Sequence, residues 1–216
     1  MYKLIAFDLD GTILNTLGDL HASINHVLES YNFPERTIDE VRCFVGNGVL
    51  KLVERAVPSG TSKDIILEIF NKFKEYYLAH LTVKSVPYDG VIDLIKELRR
   101  RGYKIAVVSN KIHPAVVALC DEYFEGLIDF SLGEDPIRPK KPHPEMLNYA
   151  MESLGVTSDE TLYVGDSEVD IETAINSNVD YISVDWGFKT HEFLQESGSK
   201  NIVSTMEELL NKIINC

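Results

Sequence analysis

Short and nearly continuous apolar runs recur along the chain, and an amphipathic stretch follows most of them. The runs cover residues 3–8, 103–109, 127–131, 161–166 and 181–185. Runs this apolar predict strands that are buried on both faces of a sheet. Helical spacing of apolar residues predicts helices over 90–102, 144–154, 169–176 and 206–214. The last helix is preceded by Ser204 and Glu207 at capping-box spacing. Strands that alternate with helices predict an α/β fold with a doubly wound parallel sheet.

The stretch from 17 to 83 departs from this alternation. Apolar residues at helical spacing occur there in four segments, over 22–31, 38–44, 49–57 and 64–81. The breaks between these segments are rich in turn residues. Their apolar faces need a core of their own, so we expect an all-helical cap domain at 17–83. The catalytic core domain would then consist of residues 1–16 and 84–216.

Composition and charge exclude several classes of function. The 216 residues include 34 acidic and 21 basic side chains, a net charge of -13. A surface this acidic repels a phosphate backbone, so we expect no nucleic-acid partner. No apolar stretch approaches the length of a membrane span, and Asp8 interrupts any signal peptide. The three cysteines (Cys43, Cys120 and Cys216) have no metal-binding spacing and predict free thiols. We expect a cytoplasmic protein, a monomer or homodimer, with no membrane contact.

Polar side chains stand where the predicted strands end. The carboxyl ends of parallel strands meet at one rim of a sheet, where ligands bind. This rim should collect Asp8, Asp10, Ser109, Lys141 and Asp166. Carboxylates packed this closely need a cation, and oxygen ligands favour Mg²⁺ over zinc. A magnesium ion beside an aspartate, a lysine and a hydroxyl is typical of a phosphoryl-transfer site.

Four motifs occur in order at these strand ends. They are DLDGT (8–12), SN (109–110), KP (141–142) and GDSEVD (165–170). Together they resemble the four ordered motifs of the haloacid dehalogenase superfamily, whose members carry a helical cap where this chain has its insertion. Within that superfamily, residues 41–57, 107–111, 141–145, 164–171 and 184–188 are similar to those of phosphoglycolate phosphatases.

The resemblance implies a role for each matching residue. Asp8 would be the nucleophile and Asp10 the general acid/base, while Ser109 and Lys141 would bind the phosphoryl group. Lys141 is preferred to Lys140 because it directly precedes the Pro-x-Pro run. The implied substrate contacts near these motifs are Thr12 and Asn110. The implied Mg²⁺ ligands are Asp8, Asp10, Asp166 and Asp170.

The predicted cap offers its own candidates for substrate binding. In the turn Gly46-Asn47-Gly48, glycines allow backbone N–H groups to approach an anion closely, and Lys51 follows one helical turn later. We expect these four residues to contact the part of the substrate beyond its phosphate. Members of the family often carry Asp-Ser where this chain has Asn15 and Thr16. This departure predicts altered hydrogen bonding at the cap hinge and intact chemistry.

The leading hypothesis is a Mg²⁺-dependent phosphatase that hydrolyses 2-phosphoglycolate through an aspartyl-phosphate at Asp8. On the same scaffold, the substrate could instead be pyrophosphate, a phosphosugar or a nucleotide. A phosphonoacetaldehyde hydrolase is a further variant, since it needs a cap lysine for a Schiff base and Lys51 lies in a similar place. A non-catalytic phosphorylated signalling domain is the third alternative. Such a domain has no helical insertion and carries its phosphorylated aspartate after the third strand.

Overall fold

The structure is a computed structural model that describes residues 1–215. Its described strands, numbered β1 to β8, are Leu4–Phe7, Leu14–Asn15, Val86–Pro87, Lys104–Ile112, Phe130–Glu134, Thr161–Gly165, Asp180–Val184 and Ile202–Val203. Six of them form one parallel sheet in the order β5-β4-β1-β6-β7-β8. The short strands β2 and β3 pair antiparallel with each other.

Helices cover both faces of the sheet. The described α-helices, numbered α1 to α10, are Leu17–Glu29, Ile38–Phe44, Val49–Ala56, Lys63–Leu78, Val91–Arg100, His113–Phe124, Glu145–Leu154, Glu168–Ser177, His191–Glu196 and Met206–Ile214. Helices α5, α6 and α10 pack on one face of the sheet, and α7 and α8 pack on the other. None of the described helices is long and apolar enough to cross a membrane.

The two covered faces explain why the strand runs are almost continuously apolar. Along β1, Ile5 and Phe7 point to the face of α5 and α6, and Leu4 and Ala6 point to the face of α7 and α8. All four side chains are fully buried. A strand that buries both of its faces has no position for a solvated polar residue, as the apolar runs predicted.

The strand predicted at 127–131 lies three residues further along the chain. Pairing with β4 begins only where Phe130 lies opposite Ala106. Leu127 and Ile128 precede the strand and pack against the core while partly exposed. These two residues are apolar because they pack beside the end of the strand, although they do not pair within it.

Helices α1 to α4 form the insertion between β2 and β3, close to the predicted segments. The expectation of a separate core for these helices is wrong. Buried residues of the insertion such as Ile24 and Phe73 belong to the same apolar cluster as Ile5 and Phe7 of the sheet. Ile13, Leu14 and Leu17, next to the start of the insertion, are buried members of that cluster. The domain boundaries at 16/17 and 83/84 stay a prediction.

The start of the last helix differs from its predicted cap by one residue. Thr205 is the N-cap of α10, and its hydroxyl accepts a hydrogen bond from the Glu208 N–H. Ser204 instead donates its hydroxyl to Asp185, at 2.7 Å. Of the cysteines, Cys43 is exposed and Cys120 is buried, both as free thiols, and Cys216 lies outside the described residues.

Candidate active site

The rim of the sheet and the insertion enclose a small cavity. Its volume is about 40 Å³, room for about three water molecules. Charged and polar side chains from the sheet line one side, and apolar side chains from the insertion line the other. The sheet side consists of Asp8, Asp10, Ser109, Asn110, Lys111, Lys141, Asp166, Ser167, Phe188 and Lys189. The insertion side consists of Leu20, Val45, Gly46, Gly48, Val49 and Leu52.

Lys141 joins the acidic groups at the centre of the site. Its ammonium lies 2.7 Å from Asp8 Oδ1, 2.7 Å from Asp170 Oδ1 and 2.9 Å from the Tyr163 hydroxyl. All four side chains are buried. Burial opposes the charge on Lys141, but the carboxylates of Asp170 and Asp8 hold its pKa well above the ordinary value. Burial raises the pKa of Asp8 to about 6 against the lowering effect of Lys141.

Asp166 and Asp170 are held by the start of α8 and by the loop after β7. The side chain of Asp170 accepts hydrogen bonds from the Ser167 N–H at 3.1 Å and the Ser167 hydroxyl at 2.6 Å, a capping arrangement. Asp166 Oδ2 accepts a hydrogen bond from the Phe188 N–H at 2.6 Å. Burial and the neighbouring carboxylates of Asp170 and Asp8 raise the pKa of Asp166 well above its ordinary value.

The donor set fits a divalent cation. Carboxylate oxygens of Asp8, Asp166 and Asp170 lie within 4.8 Å of one another, and all three residues are buried. Lys141 pairs with Asp8 and Asp170, whereas Asp166 has no lysine partner among the described residues. Oxygen-only donors are the ligands that Mg²⁺ prefers.

The Asp10 side chain is not part of this acidic group. Its carboxylate accepts hydrogen bonds from Lys111 Nζ, at 2.7 and 3.0 Å, and from the Thr16 hydroxyl. Asp10 lines the same cavity as Asp8, but it is not among the three acids whose carboxylate oxygens lie within 4.8 Å of one another. The implied role of its side chain as a metal ligand stays a prediction. Thr16 is one of the two positions where the chain departs from the Asp-Ser of the family, and its hydroxyl forms this hydrogen bond at the base of the insertion.

Two glycines allow the backbone to approach the acids closely. A Cβ on Gly11, which has φ +86°, would lie 2.2 Å from Asp166 Oδ2. A Cβ on Gly187 would lie 2.3 Å from the Gly11 carbonyl oxygen and 2.4 Å from Asp166 Oδ2. Any larger residue at either position would displace Asp166, so the glycines fix the position of this carboxylate.

Two buried polar residues of the site were given no role from the sequence, although Lys111 stands at a predicted strand end. Lys111 contacts Asp10, and its ammonium lies 4.8 Å from the centroid of the Tyr77 ring on α4. Burial opposes the charge on Lys111, but Asp10 raises its pKa above the ordinary value. Tyr163 contacts Lys141, and its place in an apolar strand run indicates only a core residue. The adjacency of Lys111 to the SN motif was the one available signal.

Asn110 connects the sheet to the insertion. Its side chain accepts a hydrogen bond from the Lys141 N–H at 2.8 Å and donates to the Lys141 carbonyl at 2.9 Å. It also donates to the Gly46 carbonyl at 3.2 Å. Lys140 donates to the Asn47 carbonyl at 2.9 Å, so the neighbouring lysines have different contacts. Lys140 faces the turn of the insertion, whereas Lys141 faces the acids.

Other predicted substrate contacts divide into two groups. Gly46 and Gly48 line the cavity, and Ser109 lines it beside Lys111. Three residues do not line the cavity, and each has a local reason. The Thr12 side chain is buried, with no hydrogen-bond partner among the described residues for its hydroxyl. The Asn47 side chain accepts a hydrogen bond from Arg55, and Lys51 is exposed and paired with Glu54 at 2.6 Å.

Comparison with known proteins identifies the family. The haloacid dehalogenase-like hydrolases match this chain over residues 5–184. The chain belongs to this family. The phosphoglycolate phosphatase of Colwellia psychrerythraea is 32% identical, over 96% of this chain and 95% of its own length. Phosphoglycolate phosphatase 1 of Pseudomonas aeruginosa is 31% identical, over 96% of this chain and 78% of its own.

Solved structures have the same fold. The crystal structure of a predicted phosphoglycolate phosphatase from Haemophilus somnus has a TM-score of 0.91, with 30% identity and 98% of both chains covered. A crystal structure from Lactobacillus delbrueckii subsp. bulgaricus has a TM-score of 0.93, with 38% identity and 98% of both chains covered. The predicted α/β fold and the predicted superfamily are therefore confirmed, and the protein is an enzyme of the hydrolase class.

Proposed function

We propose that the protein is a Mg²⁺-dependent phosphatase that hydrolyses a small phosphomonoester, 2-phosphoglycolate above all. The observation that carries this proposal is the buried contact of Asp8 with Lys141, 2.7 Å apart, inside a cavity that Asp10 also lines. The residues proposed as nucleophile, acid and phosphate-binding cation therefore share one small cavity. The choice of substrate is supported by relatives that are phosphoglycolate phosphatases and whose similarity extends over 96% of this chain.

In the first half-reaction, a carboxylate oxygen of Asp8 attacks phosphorus while the bond from phosphorus to the glycolate oxygen breaks. Asp10 gives its proton to that oxygen, so glycolate leaves as an alcohol. In the second, water attacks the aspartyl-phosphate and loses a proton to Asp10. Inorganic phosphate and the free Asp8 carboxylate result. Lys141 and the Ser109 hydroxyl hold the phosphoryl oxygens during both steps.

Asp8, Asp166 and Asp170 would hold the Mg²⁺, as their mutual distances and burial support. The ion would offset negative charge on the phosphoryl group when bound. Lys141 already offsets part of the charge of Asp8 and Asp170. It also keeps both carboxylates in place at the rim.

The size of the cavity favours a small substrate. Its volume of about 40 Å³ suits the phosphoryl group, so any larger part of a substrate would have to lie in the adjoining groove. The insertion, which we infer to act as a cap, excludes water from this space through apolar side chains such as Val45, Val49 and Leu52. The phosphonoacetaldehyde alternative has less support, because Lys51 is exposed and paired with Glu54.

The test is a screen of phosphomonoesters with Mg²⁺, comparing kcat/KM for 2-phosphoglycolate with the values for pyrophosphate, phosphosugars and nucleotides. We expect 2-phosphoglycolate to give the largest value. Asp8→Asn should lower turnover by roughly 10³-fold or more, because an amide does not attack phosphorus. Asp121→Asn, at an exposed position on α6, is the matched control. Turnover near that of the wild type in purified Asp8→Asn would falsify the nucleophile assignment.

A further inference from the structure

The cavity contains a third lysine that the catalytic groups do not use. Lys111 is paired with Asp10, and Lys141 is paired with Asp8 and Asp170. Lys189 also lines the cavity, yet no carboxylate of the described residues forms an ion pair with it. It is half-buried, and its ammonium lies 5.1 Å from the centroid of the Phe193 ring. Its charge is therefore available to a ligand.

The backbone before Lys189 is fixed to the acidic rim. The Phe188 N–H donates to Asp166 at 2.6 Å, and the Trp186 indole N–H donates to the Thr12 carbonyl at 3.1 Å. Gly187, between them, packs so closely against Gly11 that a Cβ would not fit. These contacts hold the start of the lysine side chain at a defined place beside the candidate metal ligands.

Lys189 lines both the cavity and a larger groove beside it, and we call this boundary the mouth of the cavity. The groove has a volume of about 490 Å³ and shares two lining residues with the cavity, Phe188 and Lys189. The insertion offers no charged or polar side chain to an anion inside the cavity, since its lining side chains there are Leu20, Val45, Val49 and Leu52. An anionic group left against those apolar side chains would lose its hydration without compensation.

We propose that Lys189 is a specificity-determining residue that binds a second anionic group of the substrate, the carboxylate of a short phosphomonoester. This inference rests on the proposed function of the same site. With the phosphoryl group beside Asp8, a short carboxylate extends toward the mouth of the cavity. Lys189 is the lysine at that mouth. Lys189, and not the predicted Lys51 or Asn47 side chain, is therefore the group that recognises the part of the substrate beyond its phosphate.

The experiment compares 2-phosphoglycolate with ethyl phosphate, which has a methyl group in place of the carboxylate. Lys189→Met should lower kcat/KM for 2-phosphoglycolate by roughly 10-fold or more, the loss of one charge-assisted hydrogen bond, and leave ethyl phosphate unchanged. Lys189→Arg should keep most of the preference, because it keeps the charge. Lys200→Met, at an exposed position outside the cavity lining, controls for the change in net charge.

Equal losses for both substrates in Lys189→Met, or no loss for either, would overturn the inference. Calorimetry measures the binding of the two esters to the Asp8→Asn protein. This measurement distinguishes a failure of the Lys189 inference from a failure of the proposed function. If the wild type does not hydrolyse 2-phosphoglycolate, the proposed function fails. The binding preference in the Asp8→Asn protein still tests Lys189. A preference that disappears on Lys189→Met supports the inference, and one that does not change refutes it.

Discussion

Removal of one buried oxygen atom, in Tyr163→Phe, tests the polar network around Lys141. The Tyr163 hydroxyl accepts a hydrogen bond from Lys141 Nζ and donates one to the Val108 carbonyl, both at 2.9 Å, while Asp170 Oδ1 is a second, longer acceptor at 3.2 Å. The substitution removes the bond from Lys141 and the one donated by the hydroxyl, and it keeps the ring. A hydrogen bond to a charged group contributes about 1.5–3 kcal/mol and a neutral one about 0.5–1.5 kcal/mol. The free energy of unfolding should therefore fall by about 2–4 kcal/mol.

Tyr77→Phe is the matched control for this change. Tyr77 is fully buried as well, but its hydroxyl has no hydrogen-bond partner among the described residues. Loss of that hydroxyl breaks no hydrogen bond among the described residues, and the Lys111 ammonium keeps both its ion pair with Asp10 and its contact with the aromatic face. We expect a free energy of unfolding within about 0.5 kcal/mol of the wild type, or a small increase.

Urea denaturation, followed by circular dichroism, measures both variants. Equal m-values check that the same surface is exposed on unfolding, so that the midpoints report stability alone. The result that would refute the reasoning is an equal loss of stability in Tyr163→Phe and Tyr77→Phe. In that case ring packing, and not the hydrogen bonds of Tyr163, would account for the effect.

Three other predictions concern the chemistry and packing of the rim. Asp10→Asn should lower kcat by roughly 10²–10⁴-fold for an alkyl phosphate and by less for p-nitrophenyl phosphate, whose phenolate leaves without a proton. Equal losses in steady-state assays would count against the acid role. Removal of divalent cations with EDTA should abolish turnover, Mg²⁺ should restore it, and Ca²⁺ should inhibit because it accepts more oxygen ligands in looser geometry. Full activity in a sample shown by metal analysis to be free of divalent ions would exclude the metal-dependent mechanism. Gly187→Ala should destabilise the protein by about 1–3 kcal/mol in urea, since its Cβ would lie 2.3 Å from the Gly11 carbonyl oxygen. Unchanged stability would contradict the close packing around Asp166.

Much of the sheet could be predicted because its strands bury both faces. The run from Leu4 to Phe7 is apolar at every position, and every one of its side chains is buried. Apolar character does not distinguish a residue that pairs from one that packs beside a strand end, and so β5 was placed too early at Leu127 and Ile128. The continuity of the core across the base of the insertion is a tertiary property that no local pattern encodes.

The acids and Lys141 could be predicted because motif order and strand ends specify them directly. Lys111 and Tyr163 could not, since their roles depend on where their side chains end. Lys111 reaches Asp10, 101 positions earlier in the chain. The opposite error occurred at Lys51, which is near the glycine turn in sequence. The rotation of α3 instead turns its side chain outward to Glu54.

The polar ties between the insertion and the rim end on backbone carbonyls, those of Gly46 and Asn47. Every amino acid supplies this acceptor, so replacing the side chain at position 47 would leave the tie from Lys140 intact. Position 48 is different, because a Cβ there would lie 2.8 Å from a carboxylate oxygen of Glu134. The turn thus combines one position whose contact with the rim does not depend on its side chain with one that has no space for a larger residue. Protein engineers seeking altered substrate selectivity could diversify residue 47 without weakening the contact that holds the insertion over the site.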